Sequence, residues 1–283
     1  MPEGDTIFRA ARTLNKALAG KKVVRFGSVL PHLNRIDEDA PVAGRTVESV
    51  AAMGKWSVMR FSGDLALLTH MLMNGSWHIY RPGEPWQKRR SDARVVIETE
   101  DFVAVAFNVP IAEFHTEESL RRKPELRQLG EDVLAEDFDV QEALRRLQAN
   151  SHQEVGAALL DQRVLAGIGN VYKSEICFAC KVDPFVPVGS LSEEQLRCLV
   201  EQARKFMKAN VRDTARGGIT TYTGFRRTTG RGNPAERLWV YGRRGLPCRK
   251  CGTMIEGKKH GLDARVTFWC PNCQANSGSL QRH

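Results

Sequence analysis

Four cysteines near the end of this 283-residue chain constrain its fold more than any other feature. Cys248, Cys251, Cys270 and Cys273 form two C-x2-C pairs with 18 residues between them. Two residues between cysteines let one tight turn aim both sulfurs at a single ion, and two such turns complete a tetrahedron of thiolates. The surrounding segment is short and polar, with too few apolar residues to fold without a staple. One zinc ion is therefore expected, and with every coordination position filled by sulfur its role is structural. Between the pairs, KKHGLDARVTFW reads as a hairpin with Lys258, Lys259, His260 and Arg265 near its tip, a shape that enters a nucleic-acid groove. Cys177, Cys180 and Cys198 lack a fourth partner at matching spacing, so they are expected to pack as thiols inside helices.

Periodicity divides the rest of the chain. Residues 3 to 19 predict a helix: Ile7, Ala11, Leu14 and Leu18 recur at helical spacing, Glu3 and Asp5 suit the positive end of its dipole, and Gly20 stops it. From about 22 to 108 the pattern changes to short strands: VVRFGSVL, RTVESVAA, KWSVMRF, LALLTHML, SWHIY, ARVVIET and FVAVAFN, broken by turn material such as SGD and RPGEP. Such spacing predicts a β-sandwich or barrel with one N-terminal helix. After Pro110 the signal turns helical, and Ser192 with Gln195 forms a capping-box pattern before the last long helix. A domain boundary falls near residues 120 to 135. The stretch RGGITTYTGFRRTTGRGNPAER, without period and rich in Gly, Thr and Arg, reads as a mobile loop or linker. The fold class is α+β.

The formal charge of +9 favours a polyanionic partner, either nucleic acid or an acidic membrane. Its distribution narrows the choice. Between Arg216 and Lys250 there are nine basic residues and the single acid Glu236, adjoining the expected zinc module, which points to phosphate contacts. No apolar run approaches the roughly 18 residues of a membrane span, and MPEGDTIFRA is polar and acidic, unlike a signal peptide. A cytosolic location is expected, where thiols stay reduced.

Met1 before Pro2 is a removable initiator methionine, and its removal exposes a secondary amine. Such an amine attacks an aldehyde-like carbon and yields an iminium ion directly, an electron sink for eliminating groups at neighbouring carbons. At the positive end of the first helix its pKa is expected to fall below the usual value of about 8, leaving more neutral nucleophile at pH 7. Glu3 places a carboxyl beside it, suited to moving a proton to or from a sugar ring oxygen. By themselves these residues read as an ordinary helix start.

MPEGDT at the start, GKW from Gly54, LLDQRVLAGIGNVYKSEI between 159 and 176, and the terminal four-cysteine finger occur in one order. Together they resemble the formamidopyrimidine-DNA glycosylase and endonuclease VIII family over essentially the whole chain, and its endonuclease VIII branch most. The resemblance implies an N-terminal catalytic β-sandwich with a long helix (1–125), a helix-two-turn-helix domain (126–215), a mobile loop or linker (216–240) and a zinc finger (241–275), with DNA held in the cleft between the two halves. It implies a monomeric bifunctional glycosylase and lyase of base excision repair, located in the cytoplasm with the nucleoid and acting on DNA that contains oxidised bases or abasic sites. Pro2 would attack C1′ of the damaged nucleotide, Glu3 would act as acid and base, and Lys55 would hold a neighbouring phosphate. Asn170 and Arg265 would grip phosphate, and Met73 would fill the gap left by the extruded nucleotide. No diffusible cofactor is implied. The chain departs from the family at Thr6, where relatives commonly carry a second glutamate, and at NVPIAEF, which lacks the arginine usual in the formamidopyrimidine branch. The latter tilts the expectation towards oxidised pyrimidines. The alternatives are an oxidised-purine glycosylase and a non-catalytic zinc-finger DNA-binding protein.

Overall fold

The computed structural model describes residues 2–211, 228–229, 237–260 and 265–275. These form two compact units, divided between residues 128 and 129. Among the described residues no helix is long and apolar enough to cross a membrane.

The first unit begins with α1 (Gly4–Leu18), which buries Ile7, Ala11, Leu14 and Leu18 along one face. Gly20, at φ +78, turns the chain so that its N–H donates to the Val47 carbonyl. There follow β1 (Arg25–Ser28), α2 (Pro31–Asp39), β2 (Val47–Met53), β3 (Trp56–Phe61), β4 (Leu65–His70), β5 (Ser76–Tyr80), β6 (Ala93–Glu98), β7 (Val103–Phe107), β8 (Ile111–His115), α3 (Glu117–Arg122) and α4 (Pro124–Arg127). The strands pair antiparallel into two four-stranded sheets, ordered β2-β3-β4-β8 and β1-β6-β7-β5. One apolar core joins them: Met59, Phe61 and Leu67 from the first sheet, Trp77, Val95 and Ile97 from the second, and Leu14 and Leu18 from α1. The expected sandwich with its N-terminal helix is present.

Two elements depart from the sequence expectation. The segment after VVRFGS forms α2, whose first turn accepts Pro31 because an N–H there has no intrahelical partner. Only Leu33 of this helix is buried, so it carries no apolar stripe for a periodicity reading to detect. The second is β8, beyond Pro110 where helices were expected. Its residues Ala112 and Phe114 alternate inward against β4, an alternation over five residues that is too brief to stand out.

The second unit contains β9 (Glu131–Asp132), α5 (Val140–Ala149), α6 (Val155–Leu160), β10 (Leu165–Ala166), α7 (Asn170–Ala179), α8 (Glu193–Val211) and the hairpin β11 (Glu256–His260) with β12 (Arg265–Trp269). β9 and β10 pair in parallel. Asp139 caps α5 by accepting the Gln141 and Glu142 N–H groups. Before α8, the Ser192 hydroxyl accepts from the Gln195 N–H while the Gln195 side chain accepts from the Ser192 N–H, the expected box. The hairpin pairs His260 with Arg265; residues 261–264 at its tip lie outside the described residues. Most of the stretch read as a mobile linker, 216–227 and 230–236, also lies outside them.

The three cysteines of the helical region do not all pack as thiols. Cys180, at the end of α7, and Cys198, in α8, form a disulfide with Cα atoms 5.9 Å apart. The packing of α7 against α8 brings together residues 18 positions apart, a proximity that spacing along the chain does not encode. Cys177 remains a buried thiol, pushed up to about 12 by burial and so unreactive.

Candidate active site, phosphate contacts and zinc centre

In the first unit, two contacts set the direction of α1 against the first sheet. Gly20 N–H meets Val47 O, and the Asn15 side chain accepts from Val50 N–H at 2.8 Å, so moving back along the helix corresponds to moving forward along β2. From Asn15 to Glu3 the helix covers about 18 Å, and from Val50 to Lys55 in the next turn the chain covers about 17 Å. Pro2 and Glu3 therefore lie at the end of the sheet that carries the β2–β3 turn. That turn has two residues, Gly54 and Lys55, between the paired Met53 and Trp56. Gly54 sits at φ +59, the first-position glycine of a type II′ hairpin, which presents Lys55 at the second position. Glu3 is fully buried at the helix start, and its carbonyl accepts from both Thr6 and Ile7 N–H.

His70 closes β4 opposite Trp56, with the two rings edge to face at 4.7 Å. Burial, and then the charge of Lys55, push its pKa down to about 4, so the ring is neutral at pH 7. Its Nδ1 accepts from Leu72 N–H, which leaves the proton on Nε2 as a donor. The following turn is tight: Gly75 N–H donates to Met71 O at 2.8 Å, and a Cβ on Gly75 would stand 2.6 Å from that oxygen. The turn leaves Leu72 46% and Met73 58% exposed, with Leu72 at φ +43. Two neighbouring apolar side chains held out in water from a constrained turn are suited to insertion elsewhere. Sequence reasoning singled out Met73 but missed His70 and Leu72. A histidine at a strand end gives no signal until the pairing places it beside a lysine.

Asn170 and Arg265 belong to the second unit, and the structure brings them together. Asn170 opens α7 and its amide donates to Val266 O at 2.9 Å, next to Arg265 on β12. Its Oδ1 is buried without a partner among the described residues. All of α7 from Asn170 to Phe178 is buried, including four polar residues, and each of those four reaches towards the C-terminal module. Lys173 Nζ donates to Thr267 Oγ1 at 2.7 Å, and Ser174 Oγ accepts from Phe268 N–H. Glu175 receives the N–H groups of Trp239, Val240 and Tyr241 at 2.8 to 2.9 Å, together with the Thr228 hydroxyl. Burial pushes its carboxyl up from the usual range, while those donors pull it down. Both oxygens are engaged as acceptors. Two of the basic residues expected to meet phosphate also serve the module itself: Arg243 donates to the Trp239 and Pro247 carbonyls, and Arg249 to that of Leu238.

The four cysteine sulfurs lie within 4.8 Å of one another. Cys248 and Cys273 are 3.9 Å apart and Cys251 and Cys270 3.5 Å, which brackets the edge of about 3.8 Å for a tetrahedron with zinc–sulfur bonds of about 2.3 Å. The N–H groups of Lys250 and Cys273 donate to the sulfurs of Cys248 and Cys270. The donor set fits one structural Zn2+.

Comparison with known proteins agrees with this arrangement. Residues 1–110 match the formamidopyrimidine-DNA glycosylase N-terminal domain, residues 129–223 its H2TH domain, and residues 245–276 the zinc finger found in FPG and IleRS. The chain is 41% identical to a probable endonuclease 8 of Streptomyces coelicolor, over 97% of this chain and 94% of that one. It is 36% identical to a DNA-(apurinic or apyrimidinic site) lyase of Mycolicibacterium smegmatis, over 98% of this chain and all of that one. In three dimensions it resembles the Lactococcus lactis Fpg solved with abasic-site DNA, with a TM-score of 0.79 at 21% identity over 97% of this chain. A sandwich opened by MPEG, a helical unit carrying GIGN at a helix start and a four-thiolate hairpin, matched end to end, place this chain in the formamidopyrimidine-DNA glycosylase and endonuclease VIII family.

Proposed function

We propose that the chain is a bifunctional DNA glycosylase and abasic-site lyase of base excision repair, acting on oxidised pyrimidines through the nitrogen of Pro2 once Met1 is removed. The observation that carries this reading is a fully buried Glu3 beside that prolyl nitrogen, at the end of the sandwich that also bears Lys55. The nitrogen lone pair attacks C1′ and the glycosidic bond breaks, with the base leaving as it gains a proton. Glu3 delivers a proton to the ring oxygen as the sugar opens to an iminium ion. Loss of the C2′ proton expels the 3′ phosphate, and loss of the C4′ proton then expels the 5′ phosphate. The products are a free base, a one-nucleotide gap flanked by phosphates and the unsaturated aldehyde left from the sugar, which water releases from Pro2 by hydrolysing the iminium.

Lys55 and neutral His70 bind a phosphate next to the lesion, and Met73 fills the space of the extruded nucleotide. Asn170 and Arg265 hold phosphate from the second unit, Asn170 at the start of a helix whose N–H groups favour anions. Zinc maintains the hairpin that presents Arg265, and no diffusible cofactor takes part. The protein works in the cytoplasm on nucleoid DNA as a monomer. The pyrimidine preference rests on NVPIAEF, which lacks an arginine to pair with the base opposite an oxidised purine.

Borohydride trapping on abasic DNA, with intact mass spectrometry of the same protein, tests the reading. A covalent adduct is expected, lost in Pro2→Gly and in protein that retains Met1. A gel shift with no adduct from processed, zinc-loaded protein would leave only a DNA-holding scaffold. A duplex series with thymine glycol, dihydrouracil and 8-oxoguanine tests substrate choice, and faster cleavage of 8-oxoguanine opposite cytosine overturns the pyrimidine preference.

A further inference from the structure

We infer that a groove between the residues preceding α5 and the C-terminal half of α8 docks an acidic peptide segment that carries a large apolar side chain. The groove has a volume of about 460 Å³, within the range of sites that take a bulky side chain or small ligand. Phe138, Val140 and Val200 provide its apolar surface, and Arg204, Lys205 and Lys208 its cations, with Glu201 the single acid among its walls. None of these three cations has a carboxylate partner among the described residues. The nearby acid Asp139 is occupied in capping α5.

Arg204 makes the charge argument specific. Its guanidinium lies 4.6 Å over the Phe138 ring and donates to the Glu136 carbonyl at 3.5 Å, which fixes the plane of the fork. Its Nη1 is buried with no acceptor among the described residues. With Lys205 and Lys208 beside it, Arg204 gives the groove three positive charges against the single acid Glu201, an excess that a carboxylate entering beside Phe138 balances. Lys205 and Lys208 follow Arg204 on the same helix and extend the positive edge by one turn. A phosphodiester backbone would use the cations but gain nothing from Phe138, Val140 and Val200. An apolar side chain flanked by aspartates or glutamates uses both. The family match and the proposed chemistry assign nothing to this groove, and the inference does not depend on them.

Fluorescence anisotropy with the zinc-loaded full chain tests it. The probe is a labelled peptide of four aspartates followed by leucine and phenylalanine; controls replace the two apolar residues by serine or use a labelled single-stranded oligothymidylate. Binding of the first peptide is expected, weakened at least tenfold by the serine substitutions and at least tenfold by Lys205→Glu with Lys208→Glu. Both lysines are solvent-accessible, so this variant is expected to keep its fold and its cleavage of abasic DNA. Phe138→Ser removes the apolar floor as a second variant and lowers binding without changing charge. Absence of peptide binding overturns the proposal, as does binding indifferent to the serine substitutions or the charge reversals. Loss of oligothymidylate binding in the double variant, with no peptide binding in the parent, assigns the groove to nucleic acid instead.

Discussion

The sandwich and the α7–zinc hairpin region are stabilised by opposite means. In the sandwich, side chains from two sheets and α1 exclude water over one continuous apolar core, a non-directional stabilisation that grows with area. Around α7, four buried polar residues reach the C-terminal module through directed bonds, and four thiolates close it. The first arrangement tolerates imprecision. The second fixes positions: Asn170 and Arg265 are neighbours because an amide and an ammonium each find one partner on β12 while a carboxylate gathers the chain at 239–241, with geometry that a slipped register would break. A unit that must present charged groups at set spacing gains more from bonds than from oil.

The contrast can be broken most severely by removing zinc. Chelation, or Cys270→Ser, is expected to unfold residues 248–275 while the sandwich keeps its fold, because structural zinc in such modules contributes on the order of 10 kcal/mol. Hydrogen exchange separates the outcomes: amides of the hairpin lose protection, those of β7 keep it. Equal loss in both regions would show that they are not independent. Glu175→Ala comes next. It leaves three backbone N–H groups without their acceptor, at a cost of about 4 kcal/mol. The thermal transition of the second unit is expected to fall by roughly 10 °C. Glu175→Gln, which keeps one acceptor oxygen, should lie between the variant and the parent.

Leu14→Ala attacks the apolar side of the comparison. It opens a cavity under α1 and is expected to cost about 3 kcal/mol in the sandwich transition alone, read by denaturant unfolding with Trp77 as the reporter. The smallest effect is one of pH. His70 and His78 are both lowered from 6.5 to about 4, His70 by burial and Lys55, His78 by burial and Lys88. The folded sandwich thus binds these protons less readily than the unfolded chain does. Their contribution to stability is complete above pH 6.5 and is lost as pH falls from 6.5 towards 4. His78→Gln should flatten that decline, measured as the thermal midpoint between pH 7 and pH 4; an unchanged slope would mean that other groups govern it.

Legibility in the sequence followed the same division. The helix at residues 4–18, seven of the eight strands of the sandwich and the main helices of the second unit announced themselves by repeated apolar spacing. α2 did not, because it buries one leucine, and β8 did not, because its alternation is brief. Of the candidate site, the four cysteines could be read from spacing, whereas the importance of Pro2, Glu3 and Lys55 came from motif resemblance and acquired geometry only from the direction of α1 against β2. His70 and Leu72 carried no signal, and Glu175 none beyond its place in the motif ending KSEI. Glu175 stands in the sequence as one more acid on a helix, 64 residues before the first amide it receives.

The sequence alone determined the periodic elements, the thiolate set and the basic character, because each is written in residues close together in the chain. Tertiary structure decided what faces what: which end of the sandwich receives the prolyl nitrogen, which histidine stands beside Lys55, that Cys180 meets Cys198, and that Glu175 receives the chain at 239–241. Those pairings join distant residues through single directional contacts, and a directional contact depends on where the fold delivers its partner.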